Sequence, residues 1–279
     1  MRIYTLIFLI SFFGIVNLSA QTSWQLNTSK ISSKWAKQVS PENVWQEYPR
    51  PQMVRDQWLN LNGLWDYAIT DSNKDNPGTM DGTILVPFAV ESALSGVTKR
   101  ISENNLIWYR RSFEIPGNWN GKDIILHFGA VDWEAIVYVN GIKVGIHQGG
   151  YTPFSFDISH ALNTTGPQEL LVSVWDPTSN GTQPRGKQVV KPQGIWYTPV
   201  SGIWQTVWLE PVARQSIASL RITPDLDNGQ LKVTAKAKTN NLDGYEVEFE
   251  AYEGTSKIAS GKGELNSDGI LNINNPKLW

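Results

Sequence analysis

Between Trp133 and Ser159 the chain reads Trp-Glu-Ala-Ile-Val-Tyr-Val-Asn-Gly-Ile-Lys-Val-Gly-Ile-His-Gln-Gly-Gly-Tyr-Thr-Pro-Phe-Ser-Phe-Asp-Ile-Ser. Ile136, Tyr138, Ile142 and Val144 flank Asn140-Gly141, a pair that accepts φ > 0 at both positions. A two-residue hairpin turn needs that conformation for its twist to match the strands it joins. Gly149-Gly150 and Pro153 then break the run. Phe154 and Phe156 alternate with Ser155 and Asp157, which predicts a third strand with one buried face. No helical period fits this stretch, so the centre of the molecule is expected to be antiparallel β.

Further strands are predicted at short intervals over Leu61 to Ile69, Thr83 to Pro87, Leu106 to Ile115, Lys122 to Gly129, Glu169 to Trp175 and Gly202 to Pro211. Turn residues such as Asp75-Asn76-Pro77-Gly78 and Pro116-Gly117-Asn118 separate them. Many short strands with this punctuation describe a sandwich or jelly roll. After Pro211 the composition changes. Tryptophan is absent from 209 to 278, and Leu231 to Ala237 and Tyr245 to Ala251 alternate as strands with one wet face. Ile258 to Gly261 and Ile270 to Ile273 continue the pattern. The predicted division is an extended lead-in over 21–47, with Trp24, Trp35 and Trp45 as anchors, a jelly roll over 48–212, and an immunoglobulin-like sandwich over 213–279. The last has about five strands where ~7 are usual. Its ending at Leu278-Trp279 is read as a truncation, and an unclosed sheet predicts protease sensitivity over 213–279.

Residues 1–20 read as a cleaved secretory signal. Arg2 precedes an apolar run from Ile3 to Val16, shorter than the ~20 residues of a spanning helix, and small residues close it at Ala20. The expected location is periplasmic or extracellular, with no membrane contact after cleavage. There is no cysteine, which excludes disulfides, thiolate metal sites and a cysteine nucleophile. A formal net charge of −2 without charged blocks gives no footprint for nucleic acid.

No self-sufficient active site is visible. Gly181-Thr-Gln-Pro-Arg-Gly-Lys187 has the spacing of a phosphate loop, but Gln188 stands where Ser or Thr is required and no helix is predicted to follow. Asp71-Ser-Asn73-Lys-Asp75 starts like a calcium loop, yet position six is Asn76 and position twelve is Gly82, so a surface turn is the better reading. The three histidines, His127, His147 and His160, lack zinc-site spacing. His127 is read as a packed strand residue and His147 as a loop hydrogen-bonder. No cofactor and no metal are expected. Among thirteen tryptophans, alternation assigns Trp65, Trp133, Trp175, Trp204 and Trp208 to the core. Trp196 lies instead in a loop, where stacking on a sugar and packing are equally weighted. Asp176, Arg185 and Lys187 are expected in the same region as polar partners for sugar hydroxyls.

Five segments in order carry a resemblance: Asn62-Gly63-Leu64-Trp65, Trp108 to Phe113, Val139-Asn140-Gly141 with Val144-Gly145, Phe154 to Ile158, and Pro199 to Trp208. Together they resemble the N-terminal sugar-binding jelly roll of glycoside hydrolase family 2, over about 48–211. The remainder is similar to that family's immunoglobulin-like domain. The resemblance implies a β-linked oligosaccharide or glycoside as ligand and a TIM barrel as catalytic partner. Retaining hydrolysis needs two carboxylates ~5–5.5 Å apart. The family takes both from the barrel, one of them in an Asn-Glu pair, and this chain has no Asn-Glu dipeptide. No catalytic residue is therefore carried over. The resemblance does imply that loops 86–91, 176–187 and 193–199 reach the mouth of the barrel's pocket. Substrate-binding candidates are Glu91, Asp176, Arg185, Lys187 and Trp196, although several members have Asn at the position of Glu91 and Asp at that of Trp196.

Three readings follow in order. The chain is the non-catalytic N-terminal part of an exported β-glycosidase, inactive alone; or a free-standing carbohydrate-binding module; or an assembly domain, since the family's β domains also form homo-oligomer contacts.

Overall fold

A computed structural model describes residues 24–239 and 243–277. The signal reading of 1–20 and the Leu278-Trp279 ending lie outside the described residues. Twelve strands lie in the first unit: β1 (Leu59–Asn60), β2 (Gly63–Asp71), β3 (Gly82–Val86), β4 (Asn105–Phe113), β5 (Asp123–Phe128), β6 (Val131–Asp132), β7 (Glu134–Val139), β8 (Ile142–Gln148), β9 (Phe154–Asp157), β10 (Gln168–Trp175), β11 (Gly202–Ile203) and β12 (Val207–Val212). Five follow: β13 (Ile217–Asp225), β14 (Gln230–Ala237), β15 (Val247–Glu253), β16 (Ser256–Gly263) and β17 (Asp268–Asn272). Among the described residues the helical segments are short 3₁₀ turns, among them Pro51–Met53 with its proline at the first position, where no N–H is needed.

The first unit is a jelly-roll sandwich. A six-stranded sheet, β3-β2-β4-β10-β7-β8, faces a four-stranded sheet, β1-β12-β5-β9, and β11 pairs with β6 at one end. Asn140 and Gly141 take φ of 50° and 78°, and Val139 pairs with Ile142 across the predicted turn. On β7 the residues facing the core are Ala135, Val137 and Val139, while Ile136 and Tyr138 take the outer, half-covered face. The third strand of the opening stretch, β9, does not continue the hairpin's sheet. It crosses to pair with β5, carrying Phe154 and Phe156 over the core. Trp65 and Tyr109 meet edge to face at 6.4 Å in the middle of that core, both essentially solvent-free. Such a contact adds roughly 0.5–1.5 kcal/mol to the burial of the rings.

The second unit is a smaller sandwich of β13-β14-β17 and β15-β16 around Val233, Ala235, Val247, Phe249 and Leu271. Strand β13 was not foreseen. Side chains on the two faces of this strand are nearly equally exposed, so it carries little period-two signal. Charged contacts join the units. Lys238 Nζ donates to Asp123 Oδ2 (2.7 Å) and Asp157 Oδ2 (2.8 Å), and Arg55 Nη2 donates to the Ile217 carbonyl (2.6 Å).

Candidate functional site

The loops that end β3, β10 and β6 and that lead into β11 converge at one end of the sandwich. Glu91 and Asp176, which the sequence places 85 positions apart, become neighbours there through Ser201. The Ser201 amide donates to Glu91 Oε2 (3.0 Å), its hydroxyl donates to Asp176 Oδ2, and its carbonyl accepts from the Val90 amide (3.2 Å). Asp176 also caps its own turn, accepting from the Thr178 amide at 2.7 Å. A third carboxylate, Asp132, ends β6 beside them and accepts from Gln188 Nε2 (3.2 Å). Gln188 spans the loops as well, donating to the Tyr151 hydroxyl (3.1 Å) and accepting from the Val200 amide.

All three carboxylates are buried, with Glu91 5% and Asp176 2% exposed. Burial pushes Glu91 up to about 7 despite the Ser201 hydrogen bonds, and the nearby Asp176 adds to the effect. Burial, again reinforced by Asp176, raises Asp132 to about 7. Asp176 is itself raised by burial, against the bonds it accepts. Among the described residues Glu91 Oε1 has no hydrogen-bond partner. A neutral carboxyl tolerates that position far better than a carboxylate does. Glu91 and Asp176 therefore hold loops 86–91, 176–187 and 199–201 together from beneath.

A pH dependence follows. Between an ordinary carboxyl value of ~4 and about 7, the folded state keeps protons on Glu91 and Asp132 that the unfolded chain has released. Their contribution is then fully present at low pH and lost as pH rises through about 7. Raising Glu91 from 4.5 to about 7 corresponds to about 3 kcal/mol. The melting temperature should fall from pH 5 to pH 8, and Glu91→Gln should flatten most of its share of that fall. A melting temperature that is constant or rises over the same range would exclude a protonated cluster.

The remaining sequence candidates lie above this layer. Arg185 is drawn back onto its own loop, donating through Nη1 to the Ser179 carbonyl. The Lys187 side chain is exposed, while its carbonyl accepts from the Tyr197 amide (2.9 Å). With Val189 N–H to Tyr197 O (3.1 Å), that bond folds 187–197 into a hydrogen-bonded lobe. Ile195, Trp196 and Tyr197 project from it, 67%, 42% and 65% exposed. The structure thus brings Glu91 and Asp176 together and sets Arg185, Lys187 and Trp196 around the lobe above them.

Asp132, Ser201 and Gln188 were not singled out from the sequence. Ser201 lies within the Pro199 to Trp208 segment that carries the resemblance, but nothing local distinguishes it. Of the histidines, His127 is buried and stacks on Trp208 at 4.7 Å, and His147 Nε2 lies 3.2 Å from the Gly149 carbonyl. Among the described residues no group of three or more His, Cys, Asp or Glu side chains is arranged to hold a metal ion.

The first unit is a jelly-roll β-sandwich with its polar loops gathered at one end. Residues 86–211 match the model of the glycosyl hydrolases family 2 sugar binding domain. It is 32% identical over 158 residues to a β-galactosidase of Thermoanaerobacter pseudethanolicus, covering 54% of this chain and 20% of that protein. It is 23% identical over 260 residues to a β-glucuronidase of Paenibacillus borealis, covering 83% of this chain and 41% of that protein. The solved Lactobacillus rhamnosus β-glucuronidase shares the fold with a TM-score of 0.64 at 24% identity, over 81% of this chain and 40% of that one. The chain therefore spans between a fifth and about two fifths of the proteins it matches.

Proposed function

We propose that this chain supplies the non-catalytic N-terminal portion of an exported family 2 β-glycosidase, its loop cluster forming part of the rim of a substrate pocket completed by a catalytic barrel. The sugar-binding domain at 86–211 carries the reading, together with relatives of which only about 40% is represented here. The substrate class is a β-linked glycoside. A β-glucuronide is the first to test, because the Paenibacillus borealis glucuronidase aligns over more of the chain than the galactosidase does. In this reading Glu91, Asp132 and Asp176 fix the loops, and Lys187, Trp196 and Tyr197 on the exposed lobe face the sugar.

Catalysis is assigned to the barrel because no pair of exposed carboxylates lines the cluster; its three acids are buried and bonded to Ser201, Thr178 or Gln188. The purified chain should show no turnover of p-nitrophenyl β-glucuronide or β-galactoside above the buffer rate. Measurable, enzyme-proportional turnover would overturn the assignment. The intact mass of the native secreted protein provides a second test: a mass well above 31.3 kDa is expected. A free-standing carbohydrate-binding module is the second reading, favoured by the exposure of Ile195, Trp196 and Tyr197.

A further inference from the structure

A second concavity of the first unit, rich in aromatic side chains, lies beside the lobe, to which Gln188 ties its Tyr151 hydroxyl. It is a groove of about 590 Å³ between the 45–50 segment and the corner where Gly150-Tyr151 meets Trp204. This volume lies within the ~300–1,000 Å³ of small-molecule sites. Alternation assigned Trp204 to the core, but the strand run breaks after Ile203, and the Trp204 ring lines the groove partly buried. Its indole N–H donates to the Gly150 carbonyl (2.8 Å), which fixes the ring plane. Tyr151 stands edge-on to it at 6.2 Å and 75°, 50% exposed, with its hydroxyl held by Gln188.

Trp45 forms the opposite wall. It is 41% exposed and sits at φ +39°, a conformation that few bulky residues adopt. Asn60 Nδ2 holds that backbone through the Trp45 carbonyl (2.7 Å), and Phe88 supports the ring from behind at 5.8 Å. A tryptophan held outward at a rare φ and braced on two sides is not packing into a core. Three aromatic rings with fixed orientations present flat apolar faces, and Glu47 and Gln205 add polar groups along the same groove.

That combination fits a pyranose, whose axial C–H face stacks on an aromatic ring while its equatorial hydroxyls seek hydrogen-bonding groups. The charge pattern narrows the class. Arg50, the cation lining the groove, is committed to Glu210, donating to both carboxylate oxygens at 2.9 and 2.7 Å. Glu47 adds an exposed negative charge along the groove, which repels a uronate placed beside it. We propose that this groove is a second glycan-binding site, taking a neutral β-linked oligosaccharide of gluco configuration by stacking on Tyr151, Trp204 and Trp45. The site goes beyond the rim reading, since it uses none of Arg185, Lys187 or Trp196 and needs no barrel.

The test is titration calorimetry of the purified chain with cellotetraose, laminaritetraose and, as a charged β-linked probe, hyaluronan tetrasaccharide. Binding of cellotetraose or laminaritetraose is expected, with weaker or no binding of the hyaluronan fragment. Tyr151→Ala and Trp45→Ala should each weaken it by about tenfold or more, whereas Tyr151→Phe, which keeps the ring, should leave it unchanged. Circular dichroism of each variant separates a lost site from a lost fold. Absence of heat with both neutral probes at millimolar sugar, hyaluronan binding as tightly as cellotetraose, or loss in Trp196→Ala with retention in Tyr151→Ala would overturn the proposal. The last of these would leave the rim reading standing; turnover of aryl glycosides by the chain alone would overturn that reading and leave the groove standing.

Discussion

Glu210→Ala should cost about 3–5 kcal/mol, the range for breaking a buried charge cluster by removing one partner. Glu210 lies on β12 with its side chain 1% exposed. It accepts from Arg50 Nη2, from Arg55 Nε (3.1 Å), from the Trp208 indole N–H (2.9 Å) and from the Tyr48 hydroxyl. His127 Nε2 lies 3.2 Å away. Burial alone raises such a carboxyl, but the His127 ring, the Tyr48 hydroxyl and the Trp208 N–H bring it down to about 2. Removing the carboxylate leaves two guanidinium groups, each only about a quarter exposed, without their counter-charge, and leaves a buried indole N–H unpaired. The damage extends to the second unit, because the same Arg55 donates to Ile217 on β13.

The control is Asp66→Ala. It breaks an Arg110 pair about 40% exposed on both sides and should cost less than about 1 kcal/mol. Urea unfolding of both variants decides the matter. A Glu210→Ala loss no larger than that of Asp66→Ala would mean that water replaces the carboxylate without penalty. The depressed Glu210 value also has an acid consequence. Its stabilisation is present above its ordinary value of 4.5 and lost as pH falls toward about 2, opposite in sign to the Glu91 and Asp132 effect. The two together place the stability maximum near pH 5.

What could be read from the sequence follows from the range of each signal. Asn140-Gly141 specifies its hairpin within four residues, and the turn formed with Val139 opposite Ile142. The strand intervals up to Trp175 were legible for the same reason, since alternation and turn residues are local. The sheet to which a strand returns is not local: Phe154 to Asp157 reads as a strand, but only the core decides that it pairs with β5. Trp204 was misplaced because Gly202 to Pro211 reads as one unbroken run, whereas residues 204–206 leave the ladder. The candidate site was legible only where it resembles a family. Loop positions brought Glu91 and Asp176 to notice, while Ser201, which joins them, and Asp132 beside them carry no periodic or motif signal. Nor does the sequence reveal that Glu210 lies in an apolar strand with partners 155 and 160 positions away.

Gly202→Ala is expected to be damaging on a similar scale, for two separable reasons. Gly202 takes φ +90°, where any Cβ is strained, and a Cβ built there would lie 1.9 Å from Tyr109 Oη and 3.0 Å from Cζ. Tyr109 cannot yield. It sits mid-strand on β4, paired with Tyr67 on one side and Val172 on the other, with no solvent exposure. Gly202 cannot yield either, because it pairs with Asp132 and follows Ser201, so a shift there pulls on the buried carboxylates. Overpacking of this kind costs about 1–3 kcal/mol and the forced φ more than about 1 kcal/mol, so a loss of ~2–4 kcal/mol is expected. The double variant Tyr109→Phe, Gly202→Ala separates the causes. Removing Oη relieves the 1.9 Å overlap and leaves the 3.0 Å contact and the φ cost, so the double variant should recover part of the loss. Gly117→Ala, where an added Cβ meets nothing within 4 Å, should be neutral to within about 1 kcal/mol. If Gly202→Ala matches Gly117→Ala in its unfolding midpoint, the close approach of β11 to Tyr109 is not what holds this end of the sandwich. If the double variant recovers nothing, the conformation of residue 202 rather than the hydroxyl sets the requirement for glycine.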